Sequence, residues 1–252
     1  FYTMMQVAFK EGWIPGTYYV QHIDKIRDKN SGKVGDVKSL NYKFFNDDEA
    51  FPDVLSYING KFIDLDNRII SHNDVKSYLF NDYSTIIYKL NNTSQGKGVN
   101  VIKKSEFSIN LISSLGSGLF QKYILQHDFF NNVQQSSVNL LRIFTTIDLA
   151  GQVSINAIYL VTANSNDTHV KAGDTIRIPV DIRTGLLSKF GYSPDFRKIH
   201  EHPISQFKFA NNYIPNFNKI KDKVISLHKM MPHNSIIGWD IILDTKDNVN
   251  VM

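Results

Sequence analysis

The stretch that most constrains this chain is Tyr88 to Ile102, YKLNNTSQGKGVNVI, in which two β-rich runs flank a polar loop. In Thr85 to Leu90 the alternation puts Ile87 and Lys89 on one strand face, so an ammonium group enters a layer that otherwise reads as buried. Such a lysine calls for an anion. Gly96 and Gly98 let backbone N–H groups approach a ligand closely, and Val99 to Ile102 restarts a strand. Strand, loop and strand suit a flap closing over phosphates, and equally a hairpin with a snorkelling lysine. Two phosphate motifs are excluded. Gly98 follows Lys97 where a Walker loop needs Ser or Thr, and Gln121 stands where Gly116-Ser117-Gly118 would need a third glycine to bind a dinucleotide.

The composition, 42% hydrophobic over 252 residues, provides for one large domain or two small ones. A net charge of +4, with lysines and arginines dispersed among nearly as many acids and no run of five like charges, suits an anionic small ligand or glycan as well as nucleic acid. The absence of cysteine excludes disulfide and thiol chemistry. There is no apolar run of about 18 residues and no signal peptide, so the expectation is a cytoplasmic protein without membrane insertion. The chain opens at Phe1 and stops at Met252 inside an apparent strand, which reads as a piece of a longer protein.

Several elements are legible. A short strand is expected at Tyr18 to Val20, a polar loop at Lys29 to Lys38, and a helix around Phe45 to Tyr57 broken near Pro52. Asn59-Gly60 signals a hairpin turn between short strands, and Ser71 and Asp74 cap a helix to about Phe80. Ser105 is expected to cap a helix ending at Gly116 to Gly118, followed by a strand at Leu119 to Ile124 and a polar loop at Leu125 to Ser137. Asn139 to Asp148 and Gln152 to Thr162 form an antiparallel hairpin, with Leu140, Arg142 and Phe144 on one face. A half-buried arginine meets a carboxylate or a phosphate. Short strands are expected at Ile176 to Ile182 and Leu186 to Phe190, and a helix after Pro215 turns Phe217, Ile220, Val224, Leu227 and Met231 to one side. His200 and His202 are two metal-type ligands without a third, or ordinary loop histidines. In Ser235 to Leu243, Gly238, Asp240 and Ile242 share a face, and the residue opposite Asp240 falls at about position 253 to 255. Asp240 is one half of a metal-binding carboxylate pair, or an ordinary bridge.

Lysine on a strand, a small-residue flap, a strand running into a hinge, and an Asp-bearing strand form an ordered series that resembles the ATP-grasp superfamily. VNLLRIFTT, the Thr184-Gly185 turn after Pro179-Val180-Asp181, His202-Pro203, Ile214-Pro215 and IIGWDIIL are similar to its sugar-transfer-associated branch. The resemblance implies an α+β fold in which two subdomains with largely antiparallel sheets grip a nucleotide. Residues 1–42 would be an N-terminal segment, 43–124 the small subdomain with flap and hinge, and 125–252 the large one, cut before its last metal-ligand motif. It implies ATP and Mg²⁺ as cofactors. Lys89 would contact phosphates under a flap of Ser94, Gln95, Gly96, Lys97 and Gly98, and Lys43 would match an earlier nucleotide lysine. Gln121, Lys122, Tyr123 and Ile124 would form the adenine hinge, with Lys122 where the family commonly has an acid. Asn139 and Arg142 would face the acyl-phosphate region, and Asp240 would hold the metal. The implied activity is carboxylate–amine ligation through an acyl phosphate. The partners would be amine and carboxylate small molecules or glycans, with association with polysaccharide assembly enzymes. A nucleotide-binding module without chemistry and a glycan or nucleic-acid binder are the rival readings.

Overall fold

The computed structural model describes residues 18–23, 37–45, 50–91, 93, 98–165 and 173–252. Ser94, Gln95, Gly96 and Lys97, and most of the loop expected from Lys29, lie outside these residues. Tyr19–Ile23 is a single π-helical turn rather than the expected strand. The Tyr18 and His22 rings, four residues apart, lie 4.7 Å from each other on one side of it, a contact a strand cannot make.

Helix α1 (Lys38–Phe45) ends where a helix was expected to begin. Pro52 forbids helix continuation, and DVLSYI beyond it becomes β1 (Asp53–Ile58). Strand β1 turns through Asn59-Gly60 into β2 (Lys61–Asp64) and then β3 (Ile69–Ile70). After α2 (Val75–Leu79) come β4 (Thr85–Leu90), β5 (Val99–Lys103), α3 (Ile109–Leu115) and β6 (Gly118–Lys122). Ser71 caps the α2 entry by accepting a bond from the Asp74 N–H, whereas α3 is capped by Ser108 and not Ser105. The strands make a wholly antiparallel sheet in the order β3-β2-β1-β6-β4-β5. Leu55, Phe62, Ile86, Tyr88 and Phe120 pack one face of it against Val75, Leu79 and Ile112 of the helices.

The second sheet, also antiparallel, runs β11-β10-β9-β8-β7-β12-β13. Its strands are β7 (Leu140–Ile147), β8 (Val153–Ala163), β9 (Thr175–Pro179), β10 (Gly191–Tyr192), β11 (Lys198–Ile199), β12 (Ile236–Leu243) and β13 (Val249–Val251). The segment expected as loop from Leu125 to Ser137 contains α4 (Asp128–Val133), whose N-cap is His127 accepting from the Phe129 N–H. Strand Leu186 to Phe190 is replaced by isolated bridges, Val180 with Leu187 and Leu186 with Tyr213. Helix α5 (Phe217–Lys229) behaves as its spacing predicts: Phe217, Ile220, Val224 and Leu227 are all buried against the sheet, together with Met231 beyond its end. Within this core Thr145 Oγ1 accepts from Trp239 Nε1 at 2.8 Å and bonds His228 Nδ1 at 2.5 Å, while His228 Nε2 donates to the Asn234 carbonyl at 2.8 Å.

Two sheets with helices on their outer faces give the expected α+β architecture, and the inner faces of the sheets define the site. Ile87, Leu119 and Ile242 are buried yet belong to neither hydrophobic core, because they lie on those inner faces. The chain crosses between the sheets at Tyr123 to Leu125, which the Thr245 N–H to Leu125 carbonyl and His127 N–H to Leu243 carbonyl bonds attach to the second sheet. Among the described residues no helix is long and apolar enough to cross a membrane.

Candidate functional site

On the first sheet Lys89 is paired with Leu119, and Ile87 with Gln121, so these four side chains share the inner face. Only 7% of Lys89 is exposed, and among the described residues its ammonium makes no hydrogen bond or ion pair. Burial pushes its pKa down to about 8, while the carboxylates of Asp53 and Asp240 pull it back and Lys38 adds to the depression. A buried, unpaired cation between carboxylates from two different sheets is the centre of the site.

Asp53 reaches this face through a bulge. Simple alternation would place it with Leu55 and Tyr57 on the helix-covered face, but the β1–β6 register shifts between Asp53 and Leu55 and sets Asp53 opposite Gln121. Gln121 Nε2 donates to Asp53 Oδ1 at 2.7 Å. Burial raises the Asp53 carboxyl to about pKa 6, against the opposing pull of Gln121 and Lys89.

From the second sheet, Arg142 and Asp240 are directly opposed across β7 and β12. The guanidinium touches both carboxylate oxygens, Nη2 donating to Oδ2 at 2.9 Å and Nε forming an ion pair with Oδ1 at 2.6 Å without hydrogen-bond geometry. Burial still raises the Asp240 carboxyl above its usual value, opposed by Arg142 and Lys89. Residue 252 lies opposite Asp240, since Ile241 pairs with Val251 and the Met252 N–H donates to the Asp240 carbonyl at 2.9 Å; the turn is tighter than position 253 to 255 required.

The loop after β4 is anchored from α1. Lys38 Nζ donates to the carbonyls of Leu90 at 3.0 Å and Thr93 at 2.5 Å, and Asn91 exchanges hydrogen bonds with Ser39. At the other end of α1, the Phe45 ring stacks on Phe51 and meets Trp239 at 5.6 Å, one residue from Asp240. Gly98 closes the loop with φ +74°, and a Cβ there would lie 3.0 Å from both Leu90 and Thr93.

The sequence-derived candidates are distributed unevenly around this centre. Lys89, Gln121, Arg142 and Asp240 come together, and Gly98 borders them. Lys122 points to the opposite face and bonds Pro52 through its backbone N–H, while Tyr123 and Ile124 occupy the crossing. Beside them lies a cavity of about 320 Å³ formed with Gln135 to Val138. Asn139 is fully buried elsewhere: its amide donates to the carbonyls of Phe130 at 2.8 Å and Gln134 at 2.7 Å, tying α4 to the start of β7. Lys43 is exposed and bonds the Asn67 side chain. The α1 lysine facing Lys89 is Lys38, missed because the helix was expected seven residues later. Asp53 was missed because nothing in the sequence announces the bulge. His202 bonds the Ala163 carbonyl and His200 the Lys189 carbonyl, so both rings are held by backbone.

Among the described residues no three His, Cys, Asp or Glu side chains cluster to hold a metal. Asp240 offers one hard carboxylate donor, which fits a magnesium ion carried on ligand phosphates and not one caged by protein alone.

Comparison with solved structures places the architecture. N5-carboxyaminoimidazole ribonucleotide synthetase from Thermotoga maritima superposes with a TM-score of 0.51 at 10% identity, over 92% of this chain and 47% of that one. The biotin carboxylase domain of Hydrogenobacter thermophilus 2-oxoglutarate carboxylase, solved with MgADP, gives 0.48 at 13% identity over 85% and 38%. An L-amino acid ligase from Bacillus licheniformis gives 0.46 at 10% over 85% and 38%. The chain thus spans less than half the length of each of these structures. No curated protein matches the sequence. Residues 21–252 match the family described as sugar-transfer associated ATP-grasp. With its two antiparallel sheets enclosing Lys89, Arg142 and Asp240, the chain belongs to the sugar-transfer associated ATP-grasp family.

Proposed function

We propose that this chain is the nucleotide-gripping part of a cytoplasmic ATP-dependent carboxylate–amine ligase. The carboxylate would belong to a sugar of a bacterial surface polysaccharide or its precursor, and the amine to an amino acid or other amine. The observation that carries the reading is Lys89, a buried ammonium with no partner of its own, set between a carboxylate on its own sheet and one on the facing sheet. Such a cation is costly unless an anion joins it. A nucleotide's phosphates supply that anion, and family membership supports this choice.

Lys89 neutralises phosphate charge in a site from which water is largely excluded, where the interaction is strong. The family likeness assigns the closing of the phosphate site to Ser94 to Gly98, beyond the Leu90 and Thr93 carbonyls that Lys38 holds, and Gln121 to Ile124 hold the base at the crossing, the boundary between segments 43–124 and 125–252. Arg142, fixed in orientation by its contact with both oxygens of Asp240, steadies the transferring phosphoryl group and the acyl phosphate. Asn139 keeps the loop beside the base in place. Asp240 would hold Mg²⁺, an ion that when bound would supply charge neutralisation to the phosphates and orientation to the reacting oxygen. The chain's own contribution is therefore alignment and charge.

A thermal-shift titration with ATP and Mg²⁺ tests this directly, because a ligand at one hundred times its Kd stabilises the native state by about 2.7 kcal/mol. Wild type should respond and Lys89→Ala should not. No response at millimolar ATP from wild type would end the reading. A second reading, a binding module without chemistry, is favoured by the Arg142 grip on both oxygens of Asp240. Hydroxylamine trapping of an acyl phosphate in the presence of uronic acids separates the two.

A further inference from the structure

We propose that Asp53 is a positioning residue for the phosphate-binding lysine. It shares a proton with Gln121, forming a doubly hydrogen-bonded acid–amide pair when protonated and a buried anion facing Lys89 when not. The proposal rests on the nucleotide reading of Lys89.

Two orphaned oxygens mark the Asp53–Gln121 pair. Asp53 and Gln121 are opposite one another on β1 and β6, each 3% exposed, and are joined by the single Nε2 to Oδ1 bond of 2.7 Å. The remaining oxygens, Asp53 Oδ2 and Gln121 Oε1, are buried and bond to nothing. Two unpaired acceptors in adjoining buried groups are costly, because neither can donate to the other. A single proton on Oδ2 converts it to a donor and satisfies both oxygens at once, since a carboxylic acid and a primary amide carry complementary donor and acceptor edges.

The surroundings favour retention of that proton. Burial raises the Asp53 carboxyl to about pKa 6, and the cation facing it is Lys89 on β4. Lys89 is itself shared with Asp240 of β12 and crowded by Lys38 of α1. Asp53 also borders a cavity lined by Asp74, Asp82, Lys122, Tyr78 and Tyr83, whose two acids outnumber its one lysine. The protonated pair holds Gln121 rigidly at the crossing and leaves the charge of Lys89 free for phosphate. The deprotonated carboxylate competes with phosphate for the same lysine. Nucleotide affinity should therefore fall as Asp53 ionises.

Asp53→Asn reproduces the protonated pair, since an asparagine amide can donate to Gln121 Oε1 while its carbonyl accepts from Nε2. ADP binding is measured by calorimetry for wild type and this variant at about pH 5 and about pH 8, the difference between proteins cancelling the titration of ADP itself. The variant should bind about tenfold tighter than wild type at the higher pH and equally at the lower, a tenfold change for each unit by which ADP shifts the Asp53 proton affinity. In parallel, the Asp53 carboxyl carbon of wild type, followed by ¹³C NMR, should titrate near pH 6, a readout independent of whether the variant folds. A titration near the usual 3.8, or a wild-type to variant affinity ratio unchanged between the two pH values, overturns the inference and leaves the nucleotide reading standing. Absence of ADP binding by both proteins at both pH values removes the nucleotide reading and this inference with it.

Discussion

Replacing Lys89 with methionine should stabilise the ligand-free protein. In the folded chain the Lys89 pKa lies at about 8 against an ordinary 10.5, so folding disfavours the charged form by roughly 3 kcal/mol. The unfolded state binds the extra proton between these values, so wild-type stability rises with pH across that window and carries the full penalty below pH 8. Methionine keeps the length and apolar stem while removing the charge. The attraction of Asp53 and Asp240 is already contained in that depressed pKa, and imperfect packing of the thioether in the lysine's place leaves a net stabilisation of about 2 kcal/mol. For a chain of this size that corresponds to about 4–8 °C in Tm. Urea unfolding at pH 7 and pH 10 would measure it, with the variant's advantage shrinking at the higher pH as the wild-type lysine loses its proton. A Lys89→Met protein no more stable than wild type at pH 7, or one whose advantage persists unchanged at pH 10, would refute the picture of a strained, unpaired ammonium. The same variant should lose its thermal response to ATP, so stability and ligand binding move in opposite directions at one position.

Three further outcomes follow from the geometry. Thr145→Val leaves Trp239 Nε1 and His228 Nδ1 without their shared partner in the core and should cost about 2 kcal/mol in urea unfolding. Gly118→Ala places a Cβ 2.4 Å from the Lys89 carbonyl and 2.8 Å from the Tyr88 ring, so it should cost about 2–3 kcal/mol and weaken ATP binding by displacing β4. Arg142→Met removes the group that opposes burial at Asp240; the carboxyl pKa should rise further, and stability should fall as pH increases from 5 to 8, by about 1–2 kcal/mol after allowance for the partial exposure of the pair. A pH-independent loss would show that the pair acts through packing alone.

Local pattern carried a large part of this structure. Alternation in TIIYKL placed Ile87 and Lys89 together, alternation in LLRIF and GWDII placed Arg142 and Asp240 on one face of their strands, and the spacing of Phe217, Ile220, Val224 and Leu227 defined α5. These are short-range regularities, set by which side of a strand or helix each side chain leaves. The early helix failed because aromatic and apolar spacing from Phe45 to Tyr57 fits helix and strand alike. Only the pairing of β1 with both β2 and β6 decides it. Asn139 shows a different limit: its place beside Arg142 in the chain says nothing of its amide turning into the loop that carries α4.

By itself the sequence determined that Lys89, Arg142 and Asp240 sit on strands that are at least half buried, and the order in which they arrive. Only the tertiary structure decided which of them meet. The bulge that turns Asp53 towards Gln121, the α1 contact that brings Lys38 to the loop after β4, and the opposition of the two sheets that sets Lys89 near Asp240 all join residues far apart in the chain. Their cause is the register of one strand against another and the packing of one sheet against another, which are properties of pairs of segments and cannot be read from either segment alone.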